Sequence, residues 1–172
     1  GTFQNETGQE SCKPARKGHY VVSEGAETDT NTTCAPGQYQ NETGQTSCKD
    51  CSAGTFQNET GQESCKPASE GHHVDDRDRT TEQGCTPGKF QNETGQSSCK
   101  NCSAGTFQNE TGQESCKPAR KGHYVDISSA TIDPKCDAGQ YQDQTEQTSC
   151  KNCSAGTFQN ETGEESCKPA SE

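Results

Sequence analysis

The sequence predicts a small disulfide-rich repeat array: an elongated ladder of 17-residue β-hairpin or loop units, with little helix and no single hydrophobic core. Three observations carry the prediction. Core-forming residues are almost absent, cysteines recur at regular spacing, and an aromatic motif repeats with a fixed period. Only 23% of the 172 residues are hydrophobic and 13 are cysteine; Leu, Met and Trp are missing, and the aliphatics beyond alanine reduce to Ile127, Ile132, Val21, Val22, Val74 and Val125. That inventory builds no ordinary core. Polarity and a net charge of -11 would otherwise read as disorder. Thirteen spaced cysteines instead point to cross-links replacing burial, in an oxidising compartment. The acidic balance argues against nucleic acid as a partner. With no apolar run near the ~20 residues of a membrane span, no membrane insertion is expected in this segment, and without a signal peptide it reads as mature and soluble.

Gly-x-aromatic opens a unit at Gly1, Gly37, Gly54, Gly88, Gly105, Gly139 and Gly156, at intervals of 36, 17, 34, 17, 34 and 17. The long intervals hide further units at residues 18–20 (GHY), 71–73 (GHH) and 122–124 (GHY). Ten units then cover the chain, and all nine Phe and Tyr residues occupy one slot, which His73 fills in the tenth. Such a period signals an array in which each unit buries surface against its neighbours. Grouped in threes, the units divide the chain into 1–36, 37–87, 88–138 and 139–172, a window cut from a longer array.

A full unit runs Cys-x-x-Gly-x-aromatic, then a polar turn, then a second cysteine 14 positions after the first. In the hidden units Ala15, Ala68 and Ala119 replace the first cysteine; Glu82 and Asp133 replace the second in the two that align without gaps. Joint loss is what bonding within a unit predicts, because a lone survivor would be a liability. The pairs are then Cys34 with Cys48, Cys51 with Cys65, Cys85 with Cys99, Cys102 with Cys116, Cys136 with Cys150 and Cys153 with Cys167. Cys12 is left over, its partner expected three residues before Gly1. A rival scheme bonds each CxxC internally and joins Cys12 to Cys34, Cys65 to Cys85 and Cys116 to Cys136; its long loops vary between 22 and 20 residues, whereas the within-unit spacing is constant. Closing a ~15-residue loop removes roughly 3 kcal/mol of unfolded-state entropy. Gly at the fourth position and the aromatic at the sixth suit a tight turn into a short extended segment, the ring packing near the disulfide.

Units of the type CSAGTFQNETGQESC resemble the ephrin-receptor-like cysteine-rich repeat, and their C-x2-G-x-[FY]-x8-C portion resembles the first module type of tumour-necrosis-factor-receptor ectodomains. The resemblance implies an elongated disulfide ladder, extracellular placement and a first-to-second cysteine bond. Every third unit departs from it by lacking the disulfide.

Asn-Glu-Thr recurs at Asn5, Asn41, Asn58, Asn92, Asn109 and Asn160, in one turn of the unit. Each is an N-glycosylation sequon, so covalent N-linked glycans are expected and no cofactor is. Asn31, in NTT, is a further candidate; Asn101 and Asn152 are disfavoured by the adjoining cysteine, and Asp143 abolishes the site in one unit. The CxxC spacing also suits zinc or redox dithiols, but a second pair close in sequence and a βαβ setting are both missing. His19, His72, His73 and His123 read as space-filling in or beside the aromatic slot. The run DDRD, residues 75–78, lacks the spacing and glycine of a calcium loop and reads as a solvated face. No nucleophile, base and orienting group converge, so an enzyme is not expected.

The function expected is that of a structural extracellular glycoprotein, secreted or at the cell surface, forming a glycan-coated rod within a fibre, coat or appendage. The alternative is the stalk or ligand-binding ectodomain of a receptor or adhesin. Expected partners are copies of itself or neighbouring repeats. Contacts would be made by the sequon-free units, through Arg16, Lys17, Tyr20, His72, His73, Arg120, Lys121 and Tyr124, where basic PARK alternates with acidic PASE.

Overall fold

The computed structural model describes residues 1–23, 26–27 and 32–170, so the candidate Asn31 lies outside the described residues. The chain divides into two compact units: Gly1–Ser69 with His73–Gln83 and Thr94–Ser98, and Glu70–His72 with Gly84–Glu93 and Cys99–Glu172. Among the described residues there is no helix; the regular elements are eight two-stranded antiparallel hairpins of two residues per strand. In the first unit Thr2–Phe3 pairs with Lys13–Pro14, Gln38–Tyr39 with Lys49–Asp50, and Thr55–Phe56 with Lys66–Pro67. The second pairs Lys89–Phe90 with Lys100–Asn101, Thr106–Phe107 with Lys117–Pro118, Gln140–Tyr141 with Lys151–Asn152, and Thr157–Phe158 with Lys168–Pro169. The eighth hairpin is that of His72–His73 and Gln83–Gly84. At His19 and His123 the pairing shrinks to single bridges, with Thr33 and Lys135.

Hairpins this short are not stable alone. Two devices hold them. Six disulfides close six of the eight at the base, Cys34–Cys48, Cys51–Cys65, Cys85–Cys99, Cys102–Cys116, Cys136–Cys150 and Cys153–Cys167, each spanning 14 residues. Cys12 is unbonded and exposed.

The second device is a backbone stitch between successive repeats. The fourth-position glycine N–H donates to the seventh-position carbonyl of the next repeat, as Gly105 does to Val125 O at 2.8 Å and Gly122 to Gln142 O at 2.7 Å. The seventh-position N–H donates to the twelfth-position carbonyl, Gln108 to Ala130 at 3.0 Å and Val125 to Gln147 at 2.9 Å. The eleventh-position N–H returns to the first-position carbonyl, Ser129 to Cys102 and Glu146 to Ala119, both at 2.8 Å. Repeats with and without a disulfide are stitched alike. Within the first unit the same three bonds run from Gly37 to Gln57, Gln40 to Gln62 and Gly61 to Cys34.

The stitch brings the fourth-position glycine against the eleventh-position backbone two repeats on. A Cβ on Gly122, whose φ is +74°, would lie 2.0 Å from Gly163 O, so only glycine fits, for both conformation and space. At Gly37 (φ +80°) the nearest atom to such a Cβ is Thr80 Cγ2, at 3.6 Å, and only the conformation demands glycine.

What is buried is correspondingly thin. The first-position residue is fully enclosed whether it is Cys51, Cys102 and Cys136 or Ala15, Ala68 and Ala119. So is the seventh: Gln40, Gln57, Gln91, Gln108, Gln142 and Gln159 in disulfide-bearing repeats, and Val21, Val74 and Val125 in the others. The one apolar cluster among the described residues joins Ala119, Val125 and Ala130, with Phe107 packed against it.

Candidate functional site

The site with chemistry to offer is the turn after the aromatic strand. In residues 106–117, Phe107 is half-buried, Gln108 is enclosed and Asn109 is exposed, the alternation an extended chain imposes. Gln108 is enclosed without being unsatisfied: its Nε2 donates to Ser115 O at 2.8 Å and its Oε1 accepts from Glu110 N at 3.1 Å. One buried side chain thus braces both ends of the loop, in keeping with the rule that enclosed polar groups find partners. Gln40, Gln57, Gln142 and Gln159 make the same two bonds. Sequence reasoning passed over this glutamine. Its signal was there: Gln follows the aromatic in every sequon-bearing repeat and gives way to Val in every repeat without cysteines.

The brace holds the sequon outward. Asn5, Asn41, Asn58, Asn92, Asn109 and Asn160 are all exposed, as are the hydroxyl-bearing Thr7, Thr43, Thr60, Thr94, Thr111 and Thr162. In five of them the asparagine Oδ1 accepts a bond from the lysine on the second strand, at 2.9 Å from Lys13 to Asn5, 2.9 Å from Lys49 to Asn41, 3.0 Å from Lys66 to Asn58, 2.7 Å from Lys100 to Asn92 and 2.8 Å from Lys117 to Asn109. Because an ammonium only donates, it fixes the amide with oxygen inward. That leaves Nδ2, the atom that would carry a glycan, facing away from the strand. At Asp143 the same lysine contact becomes an ion pair with Lys151; the hydrogen bond from Lys151 holds the Asp143 carboxyl below its ordinary value.

Two of the repeats without disulfides substitute a carboxylate. Glu82 stands where the second cysteine would, and its carboxylate accepts from Ser69 N at 2.6 Å and Ser69 Oγ at 3.1 Å. Asp133 does the same with Arg120, accepting from N at 3.2 Å, Nε at 2.9 Å and Nη2 at 3.0 Å. The Asp133 side chain is only 5% exposed. Burial pushes its carboxyl up, but the bonds from Arg120 and the charges of His123 and Arg120 outweigh it and hold the group below its ordinary value. His123 is buried, with Nδ1 2.7 Å from Asp133 O.

The remaining contact candidates are placed close to home. Lys17 lies 3.7 Å from Glu63 and Lys121 3.7 Å from Glu165, exposed pairs both. His72 Nδ1 meets Glu70 O and His73 Nδ1 meets Gln83 O, each at 3.0 Å. Arg16 is exposed; Tyr20 and Tyr124 are half-buried. The DDRD segment folds onto itself: Asp75 caps Arg77 N, Asp76 pairs with Arg79, and Asp78 accepts from Thr80 N.

No curated protein matches the chain. Residues 37–85 match the family model described as tyrosine-protein kinase ephrin type A/B receptor-like. The matched stretch contains the Cys51–Cys65 repeat, the greater part of the Cys34–Cys48 repeat before it, and the disulfide-free one that ends at Glu82. With its tandem disulfides and 17-residue hairpin spacing, the segment 37–85 is similar to the ephrin-receptor-like cysteine-rich repeat, a non-catalytic module type that points to an extracellular receptor-like or structural role.

Proposed function

We propose that the chain is the structural, glycan-bearing part of an extracellular glycoprotein: a stiff rod contributing to a fibre, coat or appendage. The observation behind this reading is the recurring stitch. Repeats joined by the same kind of backbone bonds present the Asn-Glu-Thr turn over and over, which suits spacing and shielding better than recognition of one ligand. Each sequon asparagine would form a bond from Nδ2 to the anomeric carbon of a sugar, displacing the diphosphate of an activated glycosyl donor with loss of one Nδ2 proton. The sequon-free repeats, with Arg16, Lys17, Tyr20, His72, His73, Arg120, Lys121 and Tyr124, would leave bare stretches where copies of the array meet. The match to a receptor module favours a second reading, the stalk or ligand-binding ectodomain of a surface receptor or adhesin.

Secretion from a eukaryotic host, with intact mass before and after enzymatic deglycosylation, tests the first reading. A mass drop corresponding to most of the six Asn-Glu-Thr sites is expected; an unmodified chain overturns it. Reversing charge at Arg16, Lys17, Arg120 and Lys121 separates assembly through the bare repeats from a spacer role. A loss of self-association and of its salt dependence supports assembly, and unchanged behaviour leaves the spacer role.

A further inference from the structure

The Phe107 ring is half-buried, with one side turned to a groove. Phe107 and Lys117 are direct cross-strand partners, so their side chains share one face of the hairpin. Lys117 reaches past the ring to Asn109 Oδ1 at 2.8 Å and Glu110 Oε1 at 3.1 Å. Ring, lysine stem and carboxamide therefore lie together. They line an open groove of ≈ 350 Å³, closed on its other side by Arg120 and Ile132. Ile132 is 65% exposed, one of very few aliphatic side chains in the molecule and placed where water would meet it. Arg120 is already held by Asp133.

We infer that this groove seats the first sugar of a glycan on Asn109, with the apolar C–H face of the pyranose on Phe107 and Ile132. Aromatic faces carry negative potential and attract polarised C–H groups as well as cations. Asn109 lines the same groove as the ring two residues earlier, so the attached sugar need fold back only across one side chain. The repeat that lacks the sequon supports the assignment. There Lys151 sits over the Tyr141 ring at 5.8 Å, the one cation–aromatic contact among the described residues. Lys151 bonds Asp143 as well, whereas at the asparagine turns the lysine bonds Oδ1 and no lysine–ring contact lies among the described residues. The same aromatic-x-Asn-x-Thr order recurs at Phe3, Tyr39, Phe56, Phe90 and Phe158, so the seat is a property of the repeat, completed at Asn109 by Ile132.

This inference rests on glycosylation of the sequon, and its test keeps the two apart. The full chain would be secreted with Asn5, Asn31, Asn41, Asn58, Asn92 and Asn160 each changed to Asp, the residue the 143 turn already carries. Glycopeptide mass reports occupancy of Asn109, and proton NMR of the glycan trimmed to its first sugar reports the seat. Ring-current shifts of the sugar protons to high field are expected; Phe107→Leu should abolish them and Ile132→Thr reduce them, both with occupancy unchanged. Phe107 also touches the Ala119 cluster, whereas Ile132 does not belong to it, so Ile132→Thr keeps the test valid should Phe107→Leu fail to fold. An unmodified Asn109 overturns the glycosylation reading and the seat with it. A modified Asn109 whose sugar protons are unshifted, or indifferent to both substitutions, overturns the seat alone.

Discussion

Residues 102–116 and 119–133 are successive repeats built on one backbone plan with different fastenings. The first is closed by Cys102–Cys116, braced by buried Gln108 and tipped by a sequon. The second has Ala119, Val125 and Asp133 in the corresponding places, closed by hydrogen bonds between Asp133 and Arg120. Both keep all three stitch bonds to the following repeat. The stitch is therefore the conformational constant, and the disulfide is one of two ways to close a loop. The three replacements go together: the buried Gln is satisfied by the loop of the disulfide-closed repeats, Gln142 beside Asp143 included, and the repeats without cysteines bury Val.

The largest effect expected follows from opening the covalent fastening. Cys102→Ala with Cys116→Ala should cost about 3 kcal/mol by loop-closure entropy. Because arrays unfold by neighbouring units, it should appear as lost hydrogen-exchange protection centred on 102–118; equal loss throughout the chain would mean the repeats are not separable. Next comes the glycine contact: Gly122→Ala should cost about 2–3 kcal/mol and Gly37→Ala about 1 kcal/mol, read from thermal unfolding, since only the first would clash with a neighbouring backbone. Gln108→Val exports the second repeat's solution into the first. It strands Ser115 O and Glu110 N and should cost about 1–2 kcal/mol, with local exchange of 109–116 as the readout.

Acid should divide the two fastenings. A carboxyl held low in the fold contributes stability above its ordinary value of 3.8, and that stability is lost as pH falls through the folded value. Exchange protection in 119–133 should therefore weaken on acidification below about pH 4 while 102–116 keeps its covalent closure; simultaneous opening would show that Asp133 does not hold the loop. The smallest change is a gain. Glu146 occupies a left-handed backbone conformation, φ 63°, where most repeats have glycine, and Glu146→Gly should stabilise by about 0.5–1 kcal/mol in thermal unfolding.

Much of this was legible in the sequence for a definite reason. The constant 14-residue spacing specifies a covalent loop, and Gly-x-aromatic marks the strand entering it, so hairpin and bond could be placed from residue types alone. The stitch could not, because backbone-to-backbone bonds leave no side-chain signature beyond the glycines at the fourth and eleventh positions. Those glycines read as turn residues, whereas Gly122 is also fixed by a carbonyl two repeats away. Asp133 looked like a lost cysteine. Its role needed the geometry, since only the fold brings a side chain at 133 to the backbone of 120.

The alternation of closures also decides how the chain would answer a pull on its ends. Tension entering at Cys102 leaves at Cys116 across 5.8 Å, and the residues between are shielded from force by the bond. From Cys116 to Cys136 no covalent shortcut exists, so about 20 residues can be drawn out, a contour of about 70 Å. Each disulfide-free repeat is then a sacrificial link of fixed length. It gives way first, by breaking hydrogen bonds that can re-form when the tension is released, while the flanking hairpins and any sugars on them stay folded.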